Sequence, residues 1–236
     1  MDTILLDLDG TLLPFRQEAF VAAYFAALKT VFADLGLDAE RGVKAVWAGT
    51  KAMVNNDGTV SNALRFWDTF GGVMSIAGES LKKIERACDA FYQNGFNTVR
   101  EVMTPTGIPS RLVRALTGRG FTVALATNPL FPACAVETRL AWIGLTPNDF
   151  ALVTDYYNCS NCKPSLEYYR HLLNVLGKEP GQCLMAGNSA AEDICAGELG
   201  IETFLVTDFS EDNEAPYRPD YRGTLSELET FLNELA

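Results

Sequence analysis

Leu5-Leu6-Asp7-Leu8-Asp9-Gly10-Thr11-Leu12 decides how the rest of this 236-residue chain is read. An apolar run from Ile4 carries two carboxylates, spaced i and i+2, to a glycine. In an extended strand those two side chains point to the same side. Like charges side by side are unfavourable, and a bound cation or a shared proton lowers the cost. One such pair can supply both a nucleophile and a separate acid/base. Gly10 suits the tight turn that must follow.

The pattern downstream tells where this strand sits. Residues 18–35 change to helical spacing, with Phe20, Tyr24, Leu28, Val31 and Leu35 on one face. Residues 39–54, 60–70 and 80–94 also read as helices, and almost nothing between Arg16 and Glu101 reads as strand. From there strand and helix alternate. Strands are expected at 121–126, 150–154, 183–186 and 202–206, and helices at 109–118, 132–143, 166–176, 192–199 and 225–235. The polar stretch 208–220 reads as a loop. Alternation of this kind predicts an α/β fold: a three-layer, Rossmann-like core with a parallel sheet, interrupted by an inserted all-helical cap domain. The expected boundaries are 1–15 and 104–236 for the core and 16–103 for the cap. Leu13-Pro14 and Thr104-Pro105-Thr106-Gly107 are the expected hinges.

Four polar clusters follow four of the strand candidates: Asp7/Asp9, Thr127/Asn128, Lys163, and Asn188/Ser189 with Asp193. In a parallel sheet the first, second and fourth emerge at one edge, where such folds bind ligands. Lys163 ends the loop after the third strand. Carboxylates, hydroxyl, amide and lysine together suit phosphoryl transfer, in which cations neutralise phosphate oxygens and hydroxyl and backbone N–H groups hold them.

In the order and spacing of these four motifs the chain resembles the haloacid dehalogenase-like hydrolase superfamily. Within it, the resemblance is to the phosphoglycolate phosphatase/β-phosphoglucomutase-like branch with a helical cap. That resemblance implies Mg2+-dependent hydrolysis of a small-molecule phosphate ester through an aspartyl-phosphate. Asp7 would be the nucleophile and Asp9 the acid/base, with Thr127 and Lys163 completing the catalytic set. Gly10 and Asn128 would join Thr127 and Lys163 in holding substrate; apart from the resemblance, Arg16 near the hinge and the polar cap residue Lys51 are read as further candidates to contact it. Asp7, the backbone carbonyl of Asp9, Asn188 and Asp193 would hold Mg2+. Asn188 departs from the commonest pattern, which has an acid there, so Asp193 gains weight as a ligand. Glu192, next to Asp193, is a further ligand candidate but is expected rather to face solvent or cap the start of a helix. A carboxylate at Asp9 favours a phosphatase over a dehalogenase. A phosphomutase, or a protein that binds a phospholigand without turning it over, are the alternatives.

Composition narrows the partners. The formal net charge of -11 leaves no basic stripe for nucleic acid. No apolar run reaches membrane-spanning length and no charged leader precedes the first strand, so a cytoplasmic protein without a membrane partner is expected, as a monomer or a homodimer. Six cysteines in a chain this long do not read as a disulfide scaffold. Cys159-Ser160-Asn161-Cys162 lacks a second pair with which to bind zinc and is read as structural. His171, the only histidine, lies in an apolar-patterned helix and is read as packing or surface.

Overall fold

The opening apolar run forms β1 (Thr3–Leu6), and all four of its residues are buried. It lies at the centre of the sheet. The computed structural model describes residues 1–210 and 215–235. Within them, β2 (Thr122–Leu125), β3 (Leu152–Val153), β4 (Cys183–Gly187), β5 (Glu202–Val206) and β6 (Tyr221–Gly223) join β1 in the order β3-β2-β1-β4-β5-β6. Every pairing is parallel.

The period of two along the central strands sorts their side chains into two layers. Ile4, Leu6, Val123, Leu125, Leu184 and Ala186 face one apolar cluster. That cluster takes in α5 (Ile108–Gly118), α6 (Ala133–Trp142) and α8 (Leu225–Glu234). Leu5, Ala124, Ala126, Cys183 and Met185 face the other, with α7 (Leu166–Leu176) and a short 3-10 segment, Ile194–Leu199. The three-layer core expected from alternation is therefore present. Two local readings change. The helix expected at 192–199 is only the 3-10 segment. The strand β6 was not anticipated, because its three residues are too few to show a period. Of the loop expected at 208–220, residues 211–214 lie outside the described residues, and the rest carries no helix or strand.

Between β1 and α5 lies the cap: α1 (Gln17–Asp34), α2 (Ala39–Val54), α3 (Asn62–Met74), α4 (Gly78–Gln93) and a 3-10 segment, Gly95–Val102. Two of its helices, α2 and α3, start where a side chain satisfies a free N–H group: Asp38 accepts from Arg41 N, and Ser61 accepts from Leu64 N. The cap core is aromatic, with Tyr24, Tyr92 and Phe96 mutually in contact. The chain crosses from core to cap and back side by side, and Thr104 N donates to Pro14 O at 3.0 Å.

A third junction joins cap to core. At the start of α3, Asn62 is fully buried, and its backbone N–H donates to Cys159 O at 2.8 Å. Its side-chain amide donates to Cys162 Sγ at 3.3 Å and accepts from Asn56 Nδ2 at 2.9 Å. Ala63 N donates to Tyr156 O at 2.7 Å, and Trp67 Nε1 donates to Tyr156 Oη at 3.2 Å. Cys159 and Cys162 are buried free thiols, in line with a structural role.

Candidate active site

Register decides what meets at the sheet edge. Leu6 lies opposite Leu125 on one side and Ala186 on the other. Asp7, Thr127 and Asn188 follow within two residues of that level, so three loops deliver them to one place. Asp7, Asp9, Gly10, Thr127, Asn128, Asn188, Ser189, Glu192 and Asp193 line one cleft of about 310 Å³.

Lys163 is the hub beneath it. Its side chain has no solvent exposure, and Nζ donates to Asp7 Oδ1 at 2.9 Å and to Asp193 Oδ1 at 2.6 Å. Burial alone would lower its pKa. The carboxylates of Asp193 and Asp7 outweigh that and hold the ammonium well above its usual pKa. Burial pushes Asp193 up, to about 6, with Lys163 pulling against it. Lys163 is positioned through its backbone: Asn128 Oδ1 accepts from Lys163 N at 3.3 Å. Thr127 is fixed in the same way, because its carbonyl accepts from Thr154 Oγ1 at 2.7 Å and Tyr168 Oη at 3.0 Å.

Asp9 has a different environment. Arg139 of α6 has no exposed surface, and its Nη1 donates to Asp9 Oδ2 at 2.5 Å. The guanidinium lies over the Phe131 ring at 4.4 Å and donates through Nε to Ala135 O. Among the described residues, Asp9 Oδ1 and Arg139 Nη2 are buried polar atoms without a hydrogen-bond partner. Burial pushes the Asp9 carboxyl up; Arg139 opposes the shift and Asp7 adds to it. Two carboxylates two residues apart thus rest on different cations.

Thr11 ties the first and fourth motifs together. Its hydroxyl lies 3.0 Å from Asp7 Oδ2 and 3.2 Å from Asn188 Oδ1, two acceptors for one proton. Asn188 Nδ2 donates to Phe209 O at 3.0 Å, which leaves the amide oxygen to accept from Thr11. Gly10 has φ +78°, and a Cβ there would come within 2.3 Å of Asn188 Nδ2, so both backbone sign and space require glycine. A Cβ on Gly187 would lie 2.1 Å from Asp193 Oδ2.

The donor set fits a small hard cation. Asp7 and Asp193 offer carboxylate oxygens, Asn188 an amide oxygen and the turn backbone carbonyls, the oxygen ligands that Mg2+ takes. Among the described residues no group of three or more His, Cys, Asp or Glu side chains has metal-holding geometry. Asn188 and a main-chain carbonyl are then needed to complete such a site.

Other expectations change. Arg16 and Lys51 are exposed and line neither this cleft nor the apolar cavity beside it. Glu192 is half-buried: it lines the cleft, accepts from Asn128 Nδ2 at 3.0 Å, and burial pushes it up to about 7. Arg139 and Thr11 were missed as site residues. The available signal for Arg139 was a lone cation inside the apolar run Ala135, Val136, Leu140, since a buried arginine requires a carboxylate partner.

Solved structures share this architecture over nearly the whole chain. A haloacid dehalogenase-like (HAD) phosphatase from Thermococcus onnurineus is 19% identical, with 98% of each chain covered and a TM-score of 0.61. A 2-haloacid dehalogenase from Pseudomonas syringae pv. Tomato DC3000 is 18% identical, with full coverage of both chains and a TM-score of 0.66. The putative HAD-hydrolase YfnB from Bacillus subtilis, bound to magnesium, is 21% identical, with 98% of each chain covered and a TM-score of 0.60. At these identities the likeness speaks for the fold alone. No curated protein matches the sequence. No helix among the described residues is long and apolar enough to cross a membrane. A model of the haloacid dehalogenase-like hydrolases matches residues 1–200, and with the sheet order, the inserted cap and the four motifs at one edge, the chain belongs to that family of hydrolases.

Proposed function

We propose that this hydrolase is a phosphatase acting on a small-molecule phosphomonoester, with Mg2+ as its cofactor. The observation that carries this reading is Asp9. A second carboxylate lines the same cleft as Asp7 and is held by a cation of its own, Arg139, while Lys163 serves Asp7. A phosphate ester needs a proton for its departing alcohol, and this carboxyl is the group to give it.

In this reading an Asp7 carboxylate oxygen attacks phosphorus, and the ester P–O bond breaks as the aspartyl-phosphate forms. Protonated Asp9 gives its proton to the departing alcohol oxygen. Asp9 then takes a proton from water, whose oxygen attacks phosphorus. The acyl-phosphate P–O bond breaks, freeing phosphate and restoring the Asp7 carboxylate. Lys163 and the Thr127 hydroxyl face the phosphoryl oxygens. Asp7, the Asp9 carbonyl, Asn188 and Asp193 would hold Mg2+, which when bound supplies positive charge to those oxygens. Asn128, which also lines the cleft, positions Lys163 through its backbone N–H.

The test is phosphate release from a broad panel of phosphomonoesters, with and without Mg2+, beside Asp7→Asn. Mg2+-dependent release lost in the variant is expected. Chloride release from 2-chloropropionate, with no phosphate release from any ester, would refute the proposal in favour of a dehalogenase.

A further inference from the structure

Next to the carboxylate cleft lies a second cavity of about 110 Å³ between cap and core. It is walled by cap helices α1 to α4 and by the core loop that follows β2. Gln17, Leu130 and Phe131 line both spaces, so the two share a wall at the reacting centre. Phe131 also carries the Arg139 guanidinium that holds Asp9, which sets the cavity on the side where the departing group must leave.

Its chemistry is one-sided. No Lys, Arg, Asp or Glu lines it among the described residues. The tyrosine hydroxyls on its wall are already paired: Tyr24 with Tyr92 at 2.7 Å, and Tyr156 with Trp67. A carboxylate or second phosphate entering this space would lose its hydration and meet no counter-charge. An apolar fragment would exchange water for aromatic surface. The volume is of the order of cavities that hold one small ring or a short branched chain.

We propose that this cavity receives the alcohol portion of the substrate, and that the substrate is therefore the phosphomonoester of a small, uncharged, apolar alcohol. The proposal rests on the phosphatase reading for its chemistry, but the cavity can be tested without turnover. It separates the chain from enzymes that read a leaving group through a second anion, whether a carboxylic acid or a bisphosphate.

The experiment is a ladder of methyl, ethyl, propyl and butyl phosphate, whose leaving groups are almost equally basic, beside phosphoglycolate as the charged member. With Mg2+ present, kcat/KM should rise about threefold to fourfold per methylene. Phosphoglycolate should fall at least tenfold below ethyl phosphate. Val21→Trp, which fills the cavity from α1, should flatten the ladder. Binding of the same esters to Asp7→Asn, read from the fluorescence of Trp67 on the cavity wall, should follow the same order. Binding that rises with chain length, in a wild type that releases no phosphate, would sustain the cavity while removing the phosphatase reading. A ladder flat in both turnover and binding, or a preference for phosphoglycolate, would overturn the proposal even in an active phosphatase.

Discussion

Replacing Arg139 with methionine tests whether the second carboxylate does chemistry or merely fits the fold. Arg139 has no exposed surface, and the Asp9 side chain keeps 22% of its own. Methionine keeps much of the packing against Phe131 but withdraws the only ion pair Asp9 makes among the described residues. Breaking a buried pair from one side costs about 3–5 kcal/mol. For a chain of this size each kcal/mol lowers Tm by roughly 2–4 °C, so a fall of about 6–20 °C is expected. Catalysis should change in a way that stability cannot mimic. General acid assistance contributes roughly 10²–10⁴-fold when the leaving group is a poor one. An alkyl phosphate should therefore lose about 10²-fold in kcat/KM if Arg139 places the Asp9 carboxyl. p-Nitrophenyl phosphate, whose phenolate departs without a proton, should lose less than about tenfold by the same principle. The assay is kcat/KM for both esters at a temperature well below the variant's Tm, with Asp9→Asn and the double variant completing a cycle. Equal losses on the two esters would refute a role for Arg139 in acid catalysis and reduce it to a structural cation.

Other perturbations probe the remaining parts. Lys163→Met should leave Asp7 and Asp193 facing each other without a cation, lower kcat by about 10²–10³-fold, and reduce stability by roughly 3–5 kcal/mol in chemical denaturation. Asn188→Asp should place a charged oxygen beside Asp7 and lower the Mg2+ concentration for half-maximal activity by about tenfold, as adding charge to an oxygen site tightens it; no change in the Mg2+ titration would remove Asn188 from the metal site. Asn62→Ala should cost roughly 1–3 kcal/mol, since Asn56 Nδ2 loses one of its two acceptors in a buried setting and keeps only Val60 O. Thermal unfolding measured with and without phosphate would show whether that loss stays at the cap junction.

The sheet was legible because its strands are short apolar runs that end in chemistry. Leu6 and Ala186 sit opposite each other and each is followed by polar residues, so the edge of the sheet is written in the places where hydrophobicity stops. Asp7 and Thr127 stand at such places, whereas Lys163 lies ten residues beyond β3 and is picked out by its place before a helix. Arg139 could not be found the same way. It lies in the middle of a helix, 130 residues from its partner Asp9, and no local pattern connects a helical cation to a strand-end acid. Arg16 and Lys51 were chosen for charge and for nearness to the cap in sequence, which says nothing of the face they occupy. The cap's actual contribution near the site is Gln17 and aromatic surface, and aromatics at helical spacing read equally as core or as cavity wall. Glu192 was misread because its helix was expected to begin at that residue, whereas the described segment begins two residues later.

The Asn62 junction has a mechanical meaning. A body attached at two neighbouring crossings keeps one easy rotation about the line through them. A third attachment away from that line arrests it. Cap and core meet at Pro14–Thr104 and again at Asn62 with Cys159 and Cys162. The second meeting place lies in the loop that also carries Lys163, so a cap that swings outward must either let go of that loop or drag it. The contacts of α6 to the cap, Trp142 Nε1 to Asn97 Oδ1 and Cys134 Sγ to Asp89 Oδ1, share that restraint, so admission and release depend on the Asn62 amide together with them.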